Sequence, residues 1–234
     1  MTTDAAALPV FHDAHAHVVE HQRGGFLIAL EGEPVLSYML SNHQVLAMED
    51  RARLLLAVPY VRHDDHDSAG AHPVVKFHAR REGYTPDWVA ENLGRHPRRI
   101  ALVDTLNSAD WEPRSYLDLA KQFPGTQFLF CHAGGYDILE FLKIARFVPN
   151  AWIDVSATQE IFGWIDGAST LPTITDAIGH AFAEPRIARK LMFGSDNPGF
   201  RQADAVAAAV RHLPDPTAYL TGNFEHLLET AGLR

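Results

Sequence analysis

The chain has 234 residues, 47% of them hydrophobic and 21% charged, which supplies a sizeable core and argues against a disordered segment. Its formal net charge of -9, with no basic run, argues against nucleic acid and anionic lipid as partners. The only cysteine, Cys131, has no intramolecular disulfide partner, and MTTDAAALPV lacks the regions of a signal peptide; with no apolar stretch of spanning length, a soluble cytoplasmic protein is expected.

In chain order, short runs of Val, Ile, Leu and Phe alternate with longer segments of helical period. Strands are expected at 8–17, 25–30, 53–61, 72–78, 98–105, 126–132, 151–157 and 190–196. Helices are expected at 113–123, opened by Pro113 and stopped by Pro124-Gly125, at 137–147 before Pro149, and at 203–213 before Pro214. Eight strands alternating with helices, without repeat or linker, predict an α/β chain folded as one (β/α)8 TIM barrel with short loops, a single compact domain over residues 1–234.

Ionisable residues stand where the apolar runs stop: His15 and His17, Lys76 and His78, Asp104, His132 and Asp196. The strand ends of such a barrel form its active-site face, so these side chains are expected to converge. His15 and His17 are two apart on a strand, which sends both imidazoles to one face, where they either share a cation or simply meet solvent. Asp196, in FGSDNP, is either functional or caps a turn before Pro198. His132, in FCHAGG, is either functional or a satisfied core histidine, and its glycines would let backbone or substrate approach it. Cys131 is expected to face the other side of the strand and pack against a helix. Lys76 and His78 should both point inward to touch substrate or support the site, while Arg80 is a candidate for gripping an anionic substrate. VRHDDHDSAG (61–70) reads as a solvated loop rather than a lid or ion site.

DAHAH on the first strand, VKFH on the fourth, CHAGG on the sixth, FGSDNP on the eighth and TGNFEHLL near the C-terminus together resemble the amidohydrolase superfamily. The nearest likeness is to its decarboxylase-like branch, amidohydrolase family 2, over essentially the whole chain and most weakly at 18–72. The resemblance implies one divalent ion held by His15, His17 and Asp196, with Asp196 accepting a proton from water and His132 polarising substrate or moving a proton. Family members add a histidine from the fifth strand, where this sequence reads IALVDTL; Asp104 stands in its place and is expected as a metal ligand or its close neighbour. Zinc is the first candidate, with Mn or Fe favoured as oxygen ligands increase.

The expected activity is hydrolysis of a C–N, ester or lactone bond in a small molecule by metal-activated water. The alternative is non-oxidative decarboxylation of an unsaturated or aromatic acid, and the second alternative is a non-catalytic small-molecule-binding barrel with a degenerate metal site. Phe162 and Trp164, in the long loop after the seventh strand, would suit a flat substrate or a homodimer contact.

Overall fold

The computed structural model describes residues 8–30, 40–106, 110–156, 179–199, 201–213 and 215–234. Eight parallel strands lie among them: β1 (His12–Ala16), β2 (Gly24–Ile28), β3 (Leu55–Val58), β4 (Val74–Phe77), β5 (Ile100–Asp104), β6 (Gln127–Cys131), β7 (Ala151–Asp154) and β8 (Leu191–Met192). They form two arcs, β1-β2-β3 and β4-β5-β6-β7-β8. Backbone bonds close both seams. Val61 N donates to Lys76 O at 3.0 Å and Lys76 N to Pro59 O at 2.9 Å, while Ala14 N donates to Phe193 O and His17 N to Asn197 O, both at 2.8 Å. Each strand expected from the sequence is present, and the chain folds as a TIM barrel.

The helices follow from local chemistry. In α1 (Asn42–Ala47) Ser41 and Gln44 form a reciprocal capping box. The short α2 (Ala79–Glu82) follows β4, and α3 (Pro86–Arg95) is capped by Thr85. In α4 (Pro113–Gln122) proline occupies the first turn, where its missing N–H costs nothing. Then come α5 (Ile138–Phe147), α6 (Pro185–Ala188), α7 (Gln202–His212) and α8 (Asn223–Thr230). The helices expected at 113–123, 137–147 and 203–213 are α4, α5 and α7 to within a residue at each end.

Alternation along the strands builds two apolar layers. Phe26, Leu56, Val74, Leu102, Leu129, Trp152 and Met192 fill the barrel, and Phe224, Leu227 and Leu228 of α8 pack into the same cluster. Val75, Phe77, Val103, Phe128, Phe130 and Ile153 point outward against the helices. Fully burying each such side chain stabilises by about 1.5–3 kcal/mol. No helix of the described residues is long and apolar enough to cross a membrane.

One irregularity sets the site. The β1–β2 register runs His12 to Gly24 and Asp13 to Gly25, then jumps to Ala16 against Leu27, so β1 carries one extra residue. This bulge breaks the alternation that had sent Ala14 inward, and turns His15 and His17 inward as well. Gly25 makes the close pairing possible: at φ +136 a Cβ there would lie 2.0 Å from Asp13 O.

Candidate metal centre at the barrel mouth

His15, His17 and Asp196 come together where β1 meets the chain leaving β8. Asp196 Oδ1 lies 3.3 Å from His17 Nε2 and 3.6 Å from His15 Nε2. The second nitrogen of each ring is already committed. His17 Nδ1 lies 3.0 Å from the Ile28 carbonyl oxygen, which can only accept, so that nitrogen carries the proton and Nε2 keeps its lone pair. His15 Nδ1 lies 3.2 Å from Asp154 Oδ2, giving the same tautomer. Asp196 itself sits at φ +58, a left-handed conformation a non-glycine residue holds only when its surroundings impose it.

His132 follows β6 with φ +63, and its ring centroid stands 4.6 Å from that of His15. Its Nδ1 lies 3.0 Å from Ser156 Oγ, and its Nε2 lies 3.4 Å from Asp104 Oδ2. The left-handed turn corrects the expectation for Cys131. Strand alternation puts Cys131 inside with Leu129, and the turn then returns His132 to the mouth, so both neighbours face the interior. Cys131 Sγ accepts from Lys76 Nζ at 2.9 Å rather than packing against a helix. The following glycine serves that turn: a Cβ on Gly134 would lie 2.1 Å from the Phe141 ring, so its smallness admits α5 and not a substrate.

Asp104 ends β5, as expected, but faces β4 and β6. Its Oδ2 is 3.4 Å from both His78 Nε2 and His132 Nε2 and 3.8 Å from Arg80 Nη2. In an eight-stranded ring β5 stands opposite β1, and an aspartate is shorter than the histidine of the family pattern. The two groupings of possible ligands among the described residues are His15, His17 and Asp196, and His15, His132 and Asp154; Asp104 belongs to neither. Lys76 is 1% exposed, beneath the mouth. In the segment 61–70, Arg62 pairs with Asp64 at 2.8 Å and Asp67 with His96, just after α3, at 3.0 Å. Phe162 and Trp164 lie outside the described residues.

Asp154 is the residue the sequence reading passed over. It ends β7 as Asp104 ends β5, and it is 0% exposed. Besides His15 it accepts from His132 N at 3.2 Å and from Ser156 N at 3.0 Å. The rule that selected the other strand-end residues applied to it equally.

Burial alone would raise these carboxyl groups. For Asp104 the neighbours His78, His132 and Lys76 more than offset it, for Asp154 His15, His132 and Ser156 do, and for Asp196 His17, His15 and His132 do; all three are held well below the usual carboxylate range. Three buried or part-buried carboxylates face one buried ammonium, Lys76, and the half-exposed Arg80 beside Asp104, so the mouth carries excess negative charge that favours a bound cation. The distances agree: ligands about 2.05 Å from a tetrahedral ion lie roughly 3.3 Å apart.

Burial pushes His15 down to about 4 and His78 down to about 3, from 6.5. Unfolding therefore takes up two protons between pH 6.5 and 4 at these sites, so stability falls as pH is lowered. His12, also lowered by burial, adds to this loss, while Asp13, pushed up to about 7 by burial, opposes with one proton over the same range and His132, raised by its carboxylate neighbours, opposes above pH 6.5. Asp154 and Asp196 add their loss only below the unfolded carboxyl range. The metal-free protein is thus expected to melt several degrees lower at pH 5 than at pH 7, and an equal or higher Tm at pH 5 would contradict this balance.

Comparison with protein families matches residues 109–219 to the amidohydrolase family. No curated protein matches the sequence. Among solved structures, an uncharacterized TIM-barrel protein from Bordetella bronchiseptica superposes with TM-score 0.57 at 17% identity, over 89% of this chain and 78% of that one. A probable 2-pyrone-4,6-dicarboxylic acid hydrolase from Acinetobacter baumannii, with citric acid bound, gives 0.55 at 19% over 90% and 84%. An amidohydrolase from Burkholderia multivorans with bound Zn gives 0.56 at 16% over 91% and 84%. A 5-carboxyvanillate decarboxylase from Sphingomonas paucimobilis gives 0.51 at 12% over 80% and 70%. These likenesses establish the shared barrel, and residues 109–219 resemble the amidohydrolase family.

Proposed function

We propose that the chain is a metal-dependent hydrolase that cleaves a C–N, ester or lactone bond of a small molecule. The observation that carries this reading is the approach of His15 Nε2 and His17 Nε2 to one Asp196 oxygen, with both second ring nitrogens tied elsewhere. His15, His17 and Asp196 would hold one divalent cation, zinc first among candidates, as in the zinc-loaded Burkholderia relative. When bound, such an ion supplies Lewis acidity, polarising a carbonyl and lowering the pKa of water. Asp196, whose side chain is 26% exposed, is ionised and open to solvent, so it takes the proton from the attacking water. His132 donates to the oxygen on which negative charge develops. Asp104 orients His132, with the Lys76 ammonium balancing charge behind it and the neutral His78 supporting it from the side, and Arg80, half-exposed beside them, meets an anionic group of the substrate.

Decarboxylation uses the same residues with His132 as acid, and one observation favours it. Burial would lower His132, but Asp104, Asp196 and Asp154 more than offset this and raise its pKa above the ordinary value. Metal analysis of the purified protein, followed by assay on lactones, amides and hydroxylated aromatic acids, tests both readings. Acid or amine release supports hydrolysis and CO2 release supports the decarboxylase. Zn2+ failing to bind the folded protein would refute both and leave the non-catalytic barrel.

Asp104→Ala is expected to keep the parent's metal content while lowering turnover by about 10–100-fold. It removes a carboxylate that holds the His132 proton, so the limb of the pH-rate profile set by His132 should move to lower pH. Loss of bound metal in this variant would make Asp104 a ligand instead.

A further inference from the structure

Asp13 stands one side of the metal cluster and touches none of its ligand atoms, yet it is 0% exposed and accepts four hydrogen bonds. Its Oδ1 accepts from His15 N and from Ser195 N, both at 3.0 Å. Its Oδ2 accepts from Ser195 Oγ at 2.5 Å and from Gln202 Nε2 at 2.7 Å. One oxygen thus carries the amide of a candidate ligand on β1 and the amide preceding the other candidate ligand, Asp196. The second oxygen ties that junction to the first residue of α7.

The rest of the network fixes the junction from behind. Ser195 Oγ accepts from Asn197 N at 3.0 Å, Gln202 Oε1 accepts from His21 N at 3.1 Å, and Gln202 Nε2 also reaches Gln22 Oε1 at 3.1 Å. The β1 bulge lies between Asp13 and Ala16. A bulge weakens strand pairing, so the backbone there needs an external anchor to hold one conformation. Asp196, in its left-handed conformation, needs the same.

We propose, resting on the metal-site reading above, that Asp13 is a positioning residue for the metal centre: its carboxylate sets the spacing between His15 and Asp196 by suspending both backbones from one buried group. Groups that orient metal ligands typically change metal affinity by about 10–100-fold when removed. A staple that served only the fold would lower melting temperature and leave the affinity of the folded protein unchanged.

The test uses Asp13→Ala and Asp13→Asn. Titrating the metal-free proteins with Zn2+ alone, against a competing chelator, should show about 10–100-fold weaker binding for alanine. Asparagine should lie between alanine and the parent, since it keeps one acceptor oxygen and turns an NH2 toward Ser195 or Gln202. Crystal structures of the same metal-free proteins should show His15 Nε2 and Asp196 Oδ1, 3.6 Å apart in the parent, drawn apart in the variants. Parent affinity with parent spacing, in whichever variant folds, would overturn the role assigned to Asp13. If the parent itself does not take up Zn2+, the metal reading fails, and the spacing in the metal-free crystals still decides whether Asp13 is the clamp.

Discussion

Asp196→Asn should fold as the parent does and lose about 10³-fold or more of its turnover. The substitution conserves volume, so packing at the mouth is unchanged. It removes the negative charge facing His15 and His17, which weakens the hold on a cation, and it removes the base. A positioned general base contributes about 10²–10⁴-fold by itself, so loss of both roles sets the expected magnitude. Circular dichroism, metal analysis and turnover on whatever substrate the parent accepts are the measurements. A variant working at the parent's rate would eliminate the mechanism proposed for Asp196.

Asp154→Asn should be nearly as damaging by a different route. In the parent, Asp154 Oδ2 accepts from His15 Nδ1 and leaves the His15 Nε2 lone pair facing Asp196. An asparagine can present its NH2 at that position. The imidazole would then accept at Nδ1 and carry its proton on Nε2, aimed where a metal should sit. Zn2+ affinity is expected to fall by about 10–100-fold. The fold also holds Asp154 well below the usual carboxylate range and so is stabilised by its ionised form; neutralising it should lower the melting temperature of the metal-free protein. NMR of imidazole nitrogens gives the decisive readout, because it reports the His15 tautomer directly. A parent tautomer with parent affinity would show that Asp154 does not orient His15.

Much of the barrel was legible because each strand is a short apolar run and each helix has its own start or stop. Pro113, Pro149 and the alternation in QFLFC mean the same thing in any context. The last strand was less legible. KLMFGSD suggests one strand to residue 196, but only Leu191–Met192 pairs with β7, because Phe193 and later residues bond instead to β1. The mouth residues could be gathered from strand ends, and the motif resemblance selected His15, His17, His132 and Asp196 from them. What remained hidden was conformational. A one-residue bulge in β1 and a left-handed His132 each reverse a period-two rule, and neither leaves a mark in residue type. Asp13 stayed hidden for another reason: three of its four hydrogen bonds come from Ser195 and Gln202, 182 and 189 positions away.

The floor of the barrel bears on how the chain is made. Phe224 packs on His12 and Phe26, with ring centroids 5.2 and 4.9 Å apart, and Asn223 Nδ2 donates to Ala188 O at 2.8 Å. The first strand is also joined to the segment after the eighth, at His15 O and Asp196 N. During synthesis β1 through β7 can therefore emerge and pair while the barrel still lacks both its last seam and its plug. Until α8 leaves the ribosome, Phe26, Trp152 and Met192 line an open cylinder whose free edges invite neighbouring chains. Shelter for that half-built barrel would come from a chaperone or from slow translation of the preceding segment, and yield in a heterologous host should depend more on protecting the nascent chain than on the finished protein's stability.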